Sequence, residues 1–468
     1  MAIAMELMMA GAFVLTLLYL WKKIRRSTNS PPGPLAMPFF GNILSMGSRP
    51  ELKILEWKAK YGDIFTMFNG RQRVVVLSDI NTVRKVFNDD GTTGRLSDSA
   101  IRTAEAINLR GRFRLEETII AEVEDLCRAL RESDQEPVNP KVQIATGVAN
   151  VTCALLFGKR FELDDPRFNR LTQMVAENIA TFKLDFVAMH LPFLMWFPNF
   201  VRRKIVKAQE NMRALLEFLR EIIREHANTP SKQTESPDYL YAYQREAEAE
   251  KKVAGIASVF NELQLLGSLF DLFAAGTDTT TTTFLWALLF MVENPEIQKK
   301  VQQEIDEKTG GKNVLTTADR ERLPYTEAVI LEIQRCATIV PLGLPHRNDE
   351  DINVDGFIIP KGTLIAANLF SIHRDPRWWK NPEQFDPTRF LDENSHLIRQ
   401  EAFVPFLIGK RKCPGEALAK MELFLFIANL LRCFALQLPP GRTFSRENYE
   451  SSVINAPIPY DLIFIHRI

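Results

Sequence analysis

The chain has 468 residues, 46% of them hydrophobic and 25% charged, and 58 Lys and Arg balance 58 Asp and Glu. Such a composition fits an ordinary globular protein with ample material for a large core. The balanced charge removes any global argument for nucleic acid as a partner. Five cysteines (Cys127, Cys153, Cys336, Cys413 and Cys433), odd in number and without a CxxC pair, argue against a disulfide framework or a zinc cluster. For four of them the expectation is a small buried hydrophobe.

In chain order, Ile3 to Trp21 is apolar apart from Glu6, Gly11 and Thr16, and Lys22, Lys23, Arg25 and Arg26 follow directly. A helix over this stretch would span about 28 Å, close to the ~30 Å of a hydrocarbon core. A cleaved signal peptide would carry its basic residues before the apolar run, the reverse of this pattern. The segment therefore reads as an uncleaved anchor over 1–21, with the rest of the chain facing the cytosol. The basic and proline-rich stretch 22–40, including Ser30-Pro31-Pro32-Gly33-Pro34, reads as a stiff spacer. A single domain over 41–468 is expected after it.

Phe65 to Phe68 and Arg73 to Leu77 are β-rich runs around Asn69-Gly70, predicting a hairpin. Helical periodicity dominates from Leu115 to about Leu219, interrupted by the apolar and aromatic stretch Leu191 to Phe200. That stretch reads either as core or as a segment dipping into a bilayer interface. Thr229 to Glu250 is polar and reads as an exposed connection. Ile352 to Ile365 alternates turn signals with β-rich residues and predicts a second small sheet.

Three patterns carry chemistry. Asn261 to Val292 is apolar on nearly all faces, as a buried central helix is, yet contains Ala275-Gly276-Thr277-Asp278-Thr279-Thr280. Gly lowers helix propensity, and Thr can bond back to a carbonyl one turn earlier and bend the ladder. The cluster either permits a tight helix crossing or serves chemistry. Glu332 and Arg335 stand at i, i+3 on a helix starting near Thr326, ordinarily an exposed pair of small worth. Last comes Phe406-Leu407-Ile408-Gly409-Lys410-Arg411-Lys412-Cys413-Pro414-Gly415. Gly409 and Gly415 permit close approaches, Pro414 suits a first helical position, and Glu416 to Phe434 reads as the helix. Helix dipole, exposed amides and Lys410, Arg411 and Lys412 together predict a stabilised Cys413 thiolate.

This stretch resembles the haem-binding signature of the cytochrome P-450 superfamily, and finer wording such as Asp271-Leu272-Phe273-Ala274-Ala275-Gly276 looks like animal microsomal family-2 members. The resemblance implies a mainly α fold with small β-sheets behind an N-terminal transmembrane helix. It implies haem b with Cys413 as the iron ligand, Phe406 packed near the thiolate, Arg411 on a propionate and Gly409 in the binding loop. His346 falls where that group places a propionate-binding residue, its alternative being a surface histidine. Thr279 and Asp278 would handle oxygen and protons, with Ala275 and Gly276 leaving room above the haem. Glu332 and Arg335 would form a buried network closed by Arg389, from Phe385-Asp386-Pro387-Thr388-Arg389-Phe390. Phe270, Ala274, Ala275, Ile339, Val340 and Leu344 would line an apolar pocket.

The implied activity is insertion of one atom of O2 into a small apolar substrate, a fatty acid, other lipid or xenobiotic. No nucleotide-binding glycine motif is evident, so NADPH-derived electrons would arrive through a flavoprotein reductase in the endoplasmic reticulum membrane, supplemented in some cases by cytochrome b5. Lys410 and Lys412 suit an acidic partner.

One region departs from the family pattern. Related enzymes have a longer stretch between Val86 and Leu109, with a substrate-contact loop and a Trp-x-x-x-Arg pair for a propionate. Here Gly94-Arg95 leads quickly to Leu109-Arg110-Gly111, and no Trp occurs between Trp57 and Trp196. If Arg102 took the arginine position, Asp98 would stand where the Trp belongs. A segment of several helical turns is inferred to be missing, leaving a weaker haem seat and a pocket open on one side. Two other readings follow: a haem-binding relative without turnover, and an O2-independent isomerase. The intact Asp278-Thr279 pair argues against the isomerase.

Overall fold

A computed structural model describes residues 11, 29–37, 40–94, 112–162, 165–190, 200–228, 238–253, 260–311 and 313–467. The 1–21 anchor apart from residue 11 lies outside them, as do residues 22–28, 38 and 39 of the spacer, Asp98, Arg102 and residues 191–199. No helix among the described residues is long and apolar enough to cross a membrane.

Besides two four-residue helices (Ile43–Met46 and Leu369–Ile372), the helices among the described residues are α1 (Pro50–Tyr61), α2 (Ile80–Phe87), α3 (Arg112–Arg131), α4 (Lys141–Phe157), α5 (Pro166–His190), α6 (Phe200–Asn228), α7 (Tyr239–Val253), α8 (Glu262–Glu293), α9 (Pro295–Thr309), α10 (Pro324–Ala337) and α11 (Glu416–Cys433). The mainly helical expectation with small sheets is met. α8 is the axis: its Asn261 cap accepts from Gln264 N–H, and α4, α10 and α11 pack around it. Its C-terminal half is buried on every side, with Phe284, Leu285, Trp286, Leu288, Leu289 and Phe290 in the main core. Gly276 serves this packing, because a Cβ there would sit 3.0 Å from Thr152 Oγ1 on α4. The crossing reading therefore holds for Gly276, which faces α4 and not open space.

Strands β1 (Ile64–Asn69) and β2 (Gln72–Leu77) form the expected hairpin, with Asn69 opposite Gln72, so the turn itself is Gly70-Arg71. β3 (His346–Arg347), β4 (Ile352–Val354), β5 (Phe357–Ile359) and β6 (Leu364–Ala367) follow. Only β4 and β5 form the separate small sheet; β6 runs parallel to β2 and antiparallel to β3 in the first sheet. That sheet bridges chain positions nearly 290 apart, as the pairing Val74 with Leu364 requires. β7 (Phe434–Gln437) pairs with β10 (Ile463–His466), and β8 (Tyr449–Ser451) with β9 (Asn455–Pro457).

Two expectations need correction. The polar stretch up to Glu250 is not wholly a connection: α7 begins at Tyr239, and Tyr239, Leu240 and Tyr243 bury one face in a second core with Leu215, Leu219 and Phe273. Three apolar residues at i, i+1 and i+4 suffice to dock a helix that is otherwise charged. Pro414 lies outside α11, whose cap is Gly415. Helix ends are the least defined part of such a reading.

Candidate functional site

The site is assembled from the loop before α11, the middle of α8, the end of α10 and strand β3. In the loop, the Cys413 N–H donates to Phe406 O at 2.9 Å and the Leu407 N–H to Val404 O at 3.0 Å, closing two turns. Leu407 takes φ +61° and Gly409 φ +83°. At Gly409 a Cβ would fall 2.0 Å from Phe87 O, so glycine is required by both backbone angle and contact. Phe87 is the last residue of α2, and the loop is thereby pressed against it. Cys413 is half-buried, whereas Cys127, Cys153, Cys336 and Cys433 are buried as expected.

The electrostatics of Cys413 differ from the sequence expectation. Burial pushes its thiol above the ordinary value; the Gly415 N–H on its sulfur opposes this, Glu416 adds to it and Lys412 opposes it. The other two cations are engaged elsewhere: Lys410 pairs with Asp90, and Arg411 Nε donates to Thr93 O at 2.9 Å. The polypeptide alone therefore does not deprotonate this cysteine. A metal bound at the sulfur would, since coordination removes a thiol proton outright.

Beneath the loop lies a charge network with no exposed atoms at its centre. Glu332 and Arg335 are both fully buried, with Arg335 Nε 2.7 Å from Glu332 Oε2 and Nη2 2.8 Å from Oε1. Glu332 Oε1 also accepts from Asp386 N–H at 2.9 Å and Arg389 Nε at 3.3 Å. Arg389 in turn donates to Asn381 O and Gln384 O. The three residues meet as the sequence pattern implied. A connection the sequence did not reveal runs on to the loop: Arg335 Nη1 donates to His373 O at 2.7 Å, and His373 Nε2 accepts the Val404 N–H at 3.1 Å. Burial, with the charges of Arg335 and Arg374, holds His373 well below the usual imidazole range, so it is a neutral acceptor. Val404 then begins the turn that leads to Phe406.

On α8, Phe273, Ala274 and Thr277 are buried, while Ala275 is exposed and Gly276, Asp278 and Thr279 are half-buried. Ala275, with Asp278 and Thr279 one turn on, thus forms a stripe that is less enclosed than the helix around it. Thr279 Oγ1 donates to Ala275 O at 2.7 Å and Thr283 Oγ1 to Thr279 O at 2.9 Å, the back-bonding expected of threonine in a helix. Burial raises the Asp278 carboxyl above its ordinary range, with Lys141 opposing weakly. Of the expected pocket residues, Leu344 is 51% exposed, Ile339 and Val340 half-buried, Phe270 half-buried against the second core and Ala274 buried.

His346 is buried in β3 and stacks on Phe87, with ring centroids 3.9 Å apart at 15°. The surface-histidine alternative is overturned. The segment before residue 95 docks on the same rim, as Arg347 N–H donates to Gly94 O and Asp349 N–H to Gly91 O. Sequence reasoning also missed Glu422, which is buried where α11 meets α8 with Thr280 Oγ1 3.4 Å from its Oε2. Burial raises its carboxyl to about 8. A glutamate directly before the apolar run Leu423 to Ala428 was the available signal.

Fold and site together define a helix-rich protein in which a half-buried cysteine sits in a hydrogen-bonded loop at the start of the helix that packs on the central one. These residues fit a flat, apolar, metal-bearing group: the thiol is reachable, and half-buried Phe406, Leu407 and Ile408 stand beside it. The chain matches the family model described as Cytochrome P450 over residues 31–110 and 100–464. It is 34% identical to cytochrome P450 2U1 of Mus musculus, covering 98% of this chain and 95% of that protein. It is 35% identical to cytochrome P450 2D15 of Canis lupus familiaris, covering 97% of each. With cytochrome P450 18a1 of Drosophila melanogaster the identity is 32%, over 92% of this chain and 86% of that protein. The chain belongs to the cytochrome P450 family, whose members are monooxygenases using haem on a cysteine thiolate, O2 and NADPH-derived electrons. The family match divides into two segments that overlap at residues 100–110, and the mouse alignment runs over 517 positions, more than this chain's 468 residues.

Proposed function

We propose that Cys413 holds the haem iron and that this chain inserts one atom of O2 into a small apolar substrate, a fatty acid, other lipid or xenobiotic. The observation that carries the reading is the half-buried Cys413 sulfur, presented by a loop closed through Phe406 O and accepting the Gly415 N–H. Haem, when bound, supplies the oxidation chemistry, delivering one oxygen atom to substrate and reducing the other to water.

The chain's own residues bind, orient and protonate. Phe406 packs beside the sulfur, and Gly409 keeps the loop against α2. Arg411 and His346 stand at the rim for the propionates. Asp278, favoured in its protonated form by burial, stores a proton at its carboxyl oxygen on the less enclosed stripe. The Thr279 hydroxyl, resting on Ala275 O, is a donor on the same stripe. Phe270, Ala274, Ala275, Ile339, Val340 and Leu344 offer an apolar wall that recognises substrate by area and excludes water. Glu332, Arg335 and Arg389 hold the loop through His373 and Val404.

The same reading places residues 1–21 as a single-pass anchor in the endoplasmic reticulum membrane with the catalytic domain on the cytosolic side. Electrons then come from a membrane-bound NADPH-dependent flavoprotein reductase, with cytochrome b5 as an additional donor. A segment missing between Val86 and Leu109 is supported by the division of the family match into two segments that overlap at 100–110. It supports a second reading, a haem-binding relative with impaired turnover.

The test is the reduced carbon-monoxide difference spectrum of the membrane-bound protein, followed by NADPH consumption and product formation with reductase. A thiolate-type Soret band that disappears in Cys413→Ala is expected. Persistence of the band in that variant would overturn the ligand assignment. A band with no substrate-dependent product selects the impaired reading. Thr279→Ala should keep the band yet lower product formed by about tenfold to hundredfold.

A further inference from the structure

Away from the Cys413 site, α3 and the end of α11 enclose a cleft of ≈ 250 Å³ whose lining includes Cys127, Arg128, Arg131, Asn429, Arg432 and Cys433. The two thiols come from positions 306 apart in sequence and line the same cleft. Arg432 Nη2 lies 3.1 Å and Arg131 Nη2 3.6 Å from Cys433 Sγ. Arg432 Nε is buried with no hydrogen-bond partner among the described residues. Among those residues neither guanidinium pairs with a carboxylate, and Arg131 also lies over the Phe434 ring, 5.9 Å from its centroid. Cys433 and Cys127 are 1% and 4% exposed, whereas Arg128, which borders the cleft, has a side chain 67% exposed and paired with Asp125. Glu124 also borders the cleft.

We propose that Cys433 and Cys127 form a second, haem-independent thiol site that reacts with small hydroperoxides and closes to a reversible disulfide. The division of roles follows from the surroundings. Both arginines donate to the Cys433 sulfur, which favours its thiolate, while the neighbouring Cys433 and burial push the Cys127 thiol up, so that it keeps its proton. The Cys433 thiolate attacks the nearer peroxide oxygen, the O–O bond breaks, and the leaving oxygen takes a proton to depart as water or an alcohol. Cys433 is then a sulfenic acid, oxidised by two electrons. Cys127 sulfur attacks it, the S–O bond breaks, and water leaves with the Cys127 proton. A thiol reductant such as glutathione reverses the product. Cys336 also has an arginine on its sulfur, Arg335 Nη2 at 2.9 Å, but burial and the facing Glu332 carboxylate push its thiol up to about 12; burial likewise pushes Cys153 up.

The test uses the purified full-length holoprotein with substoichiometric hydrogen peroxide, followed by non-reducing peptide mass mapping. A Cys127–Cys433 cross-linked peptide, lost on treatment with dithiothreitol, is expected. In Cys127→Ser, where no resolving thiol remains, dimedone should label Cys433 at least about tenfold faster than Cys153 or Cys336. Arg432→Met should slow that labelling without changing the Soret spectrum, which separates the effect from misfolding and from haem chemistry. Equal labelling of Cys433, Cys153 and Cys336, or no cross-link while both thiols persist, would overturn the proposal.

Discussion

Glu332 and Glu422 are both glutamates with no more than 1% of their surface exposed, yet the chain treats them in opposite ways. Beneath the Cys413 loop, Glu332 meets the guanidinium groups of Arg335 and Arg389 and the Asp386 amide. Between α8 and α11, Glu422 has only Thr280 at 3.4 Å, its Oε1 is unbonded, and the neighbouring Thr277 and Thr281 hydroxyls are also without partners among the described residues. The lesson is that burial alone does not fix a role for a carboxylate. A dense donor set makes it part of a frame, whereas a sparse one leaves a neutral acid.

The largest way to break this contrast is to remove the frame's central cation. Arg335→Met would leave Glu332 buried without its bidentate partner and should cost about 3–5 kcal/mol, read by urea unfolding and by loss of retained haem. If stability is unchanged, the network is decoration. Glu422→Gln probes the opposite case. A carboxyl raised in the folded state is protonated there while the unfolded one ionises above its ordinary value near 4.5, so wild-type stability falls as pH rises from there to about 8. The Gln variant should flatten that fall, gaining on wild type by an amount on the order of a few kcal/mol by pH 8. Parallel pH–stability curves would show that Glu422 is solvated.

A subtler test replaces Arg389, whose guanidinium reaches Asn381 O and Gln384 O as well as Glu332. Arg389→Lys keeps the charge but loses the fork, and about 1–2 kcal/mol of destabilisation is expected in the same urea assay. Lys410→Ala should be the smallest. Its pair with Asp90 is exposed on both sides, and a change of less than about 0.5 kcal/mol is expected, vanishing in high salt.

Much of the site was legible in the sequence because the chemistry uses rare residues in fixed register. Gly409 before Cys413 marked a backbone approach that the structure confirms at Phe87 O. Glu332, Arg335 and Arg389 were readable as a set, although spacing alone assigned only an exposed pair to the first two. Two of the three cations around Cys413 were misread, since adjacency in sequence does not say which partner each side chain takes; Lys412 alone still favours the thiolate. Lys410 and Arg411 turn to Asp90 and Thr93, more than 300 residues earlier. Tyr239, Leu240 and Tyr243 were hidden in a polar stretch because three apolar residues hardly alter its average composition.

By itself the sequence determined the helical class, the central helix with its back-bonded threonines and the cysteine loop, because each is set by local propensity, periodicity or backbone restriction. Only the tertiary structure decided where charges end. It chose His373 as the link from Arg335 to Val404, β6 as a partner for β2, and Glu422 as an acid without a base. These outcomes depend on which distant groups share a low-dielectric space, and desolvation is a property of the assembled core and not of any segment within it.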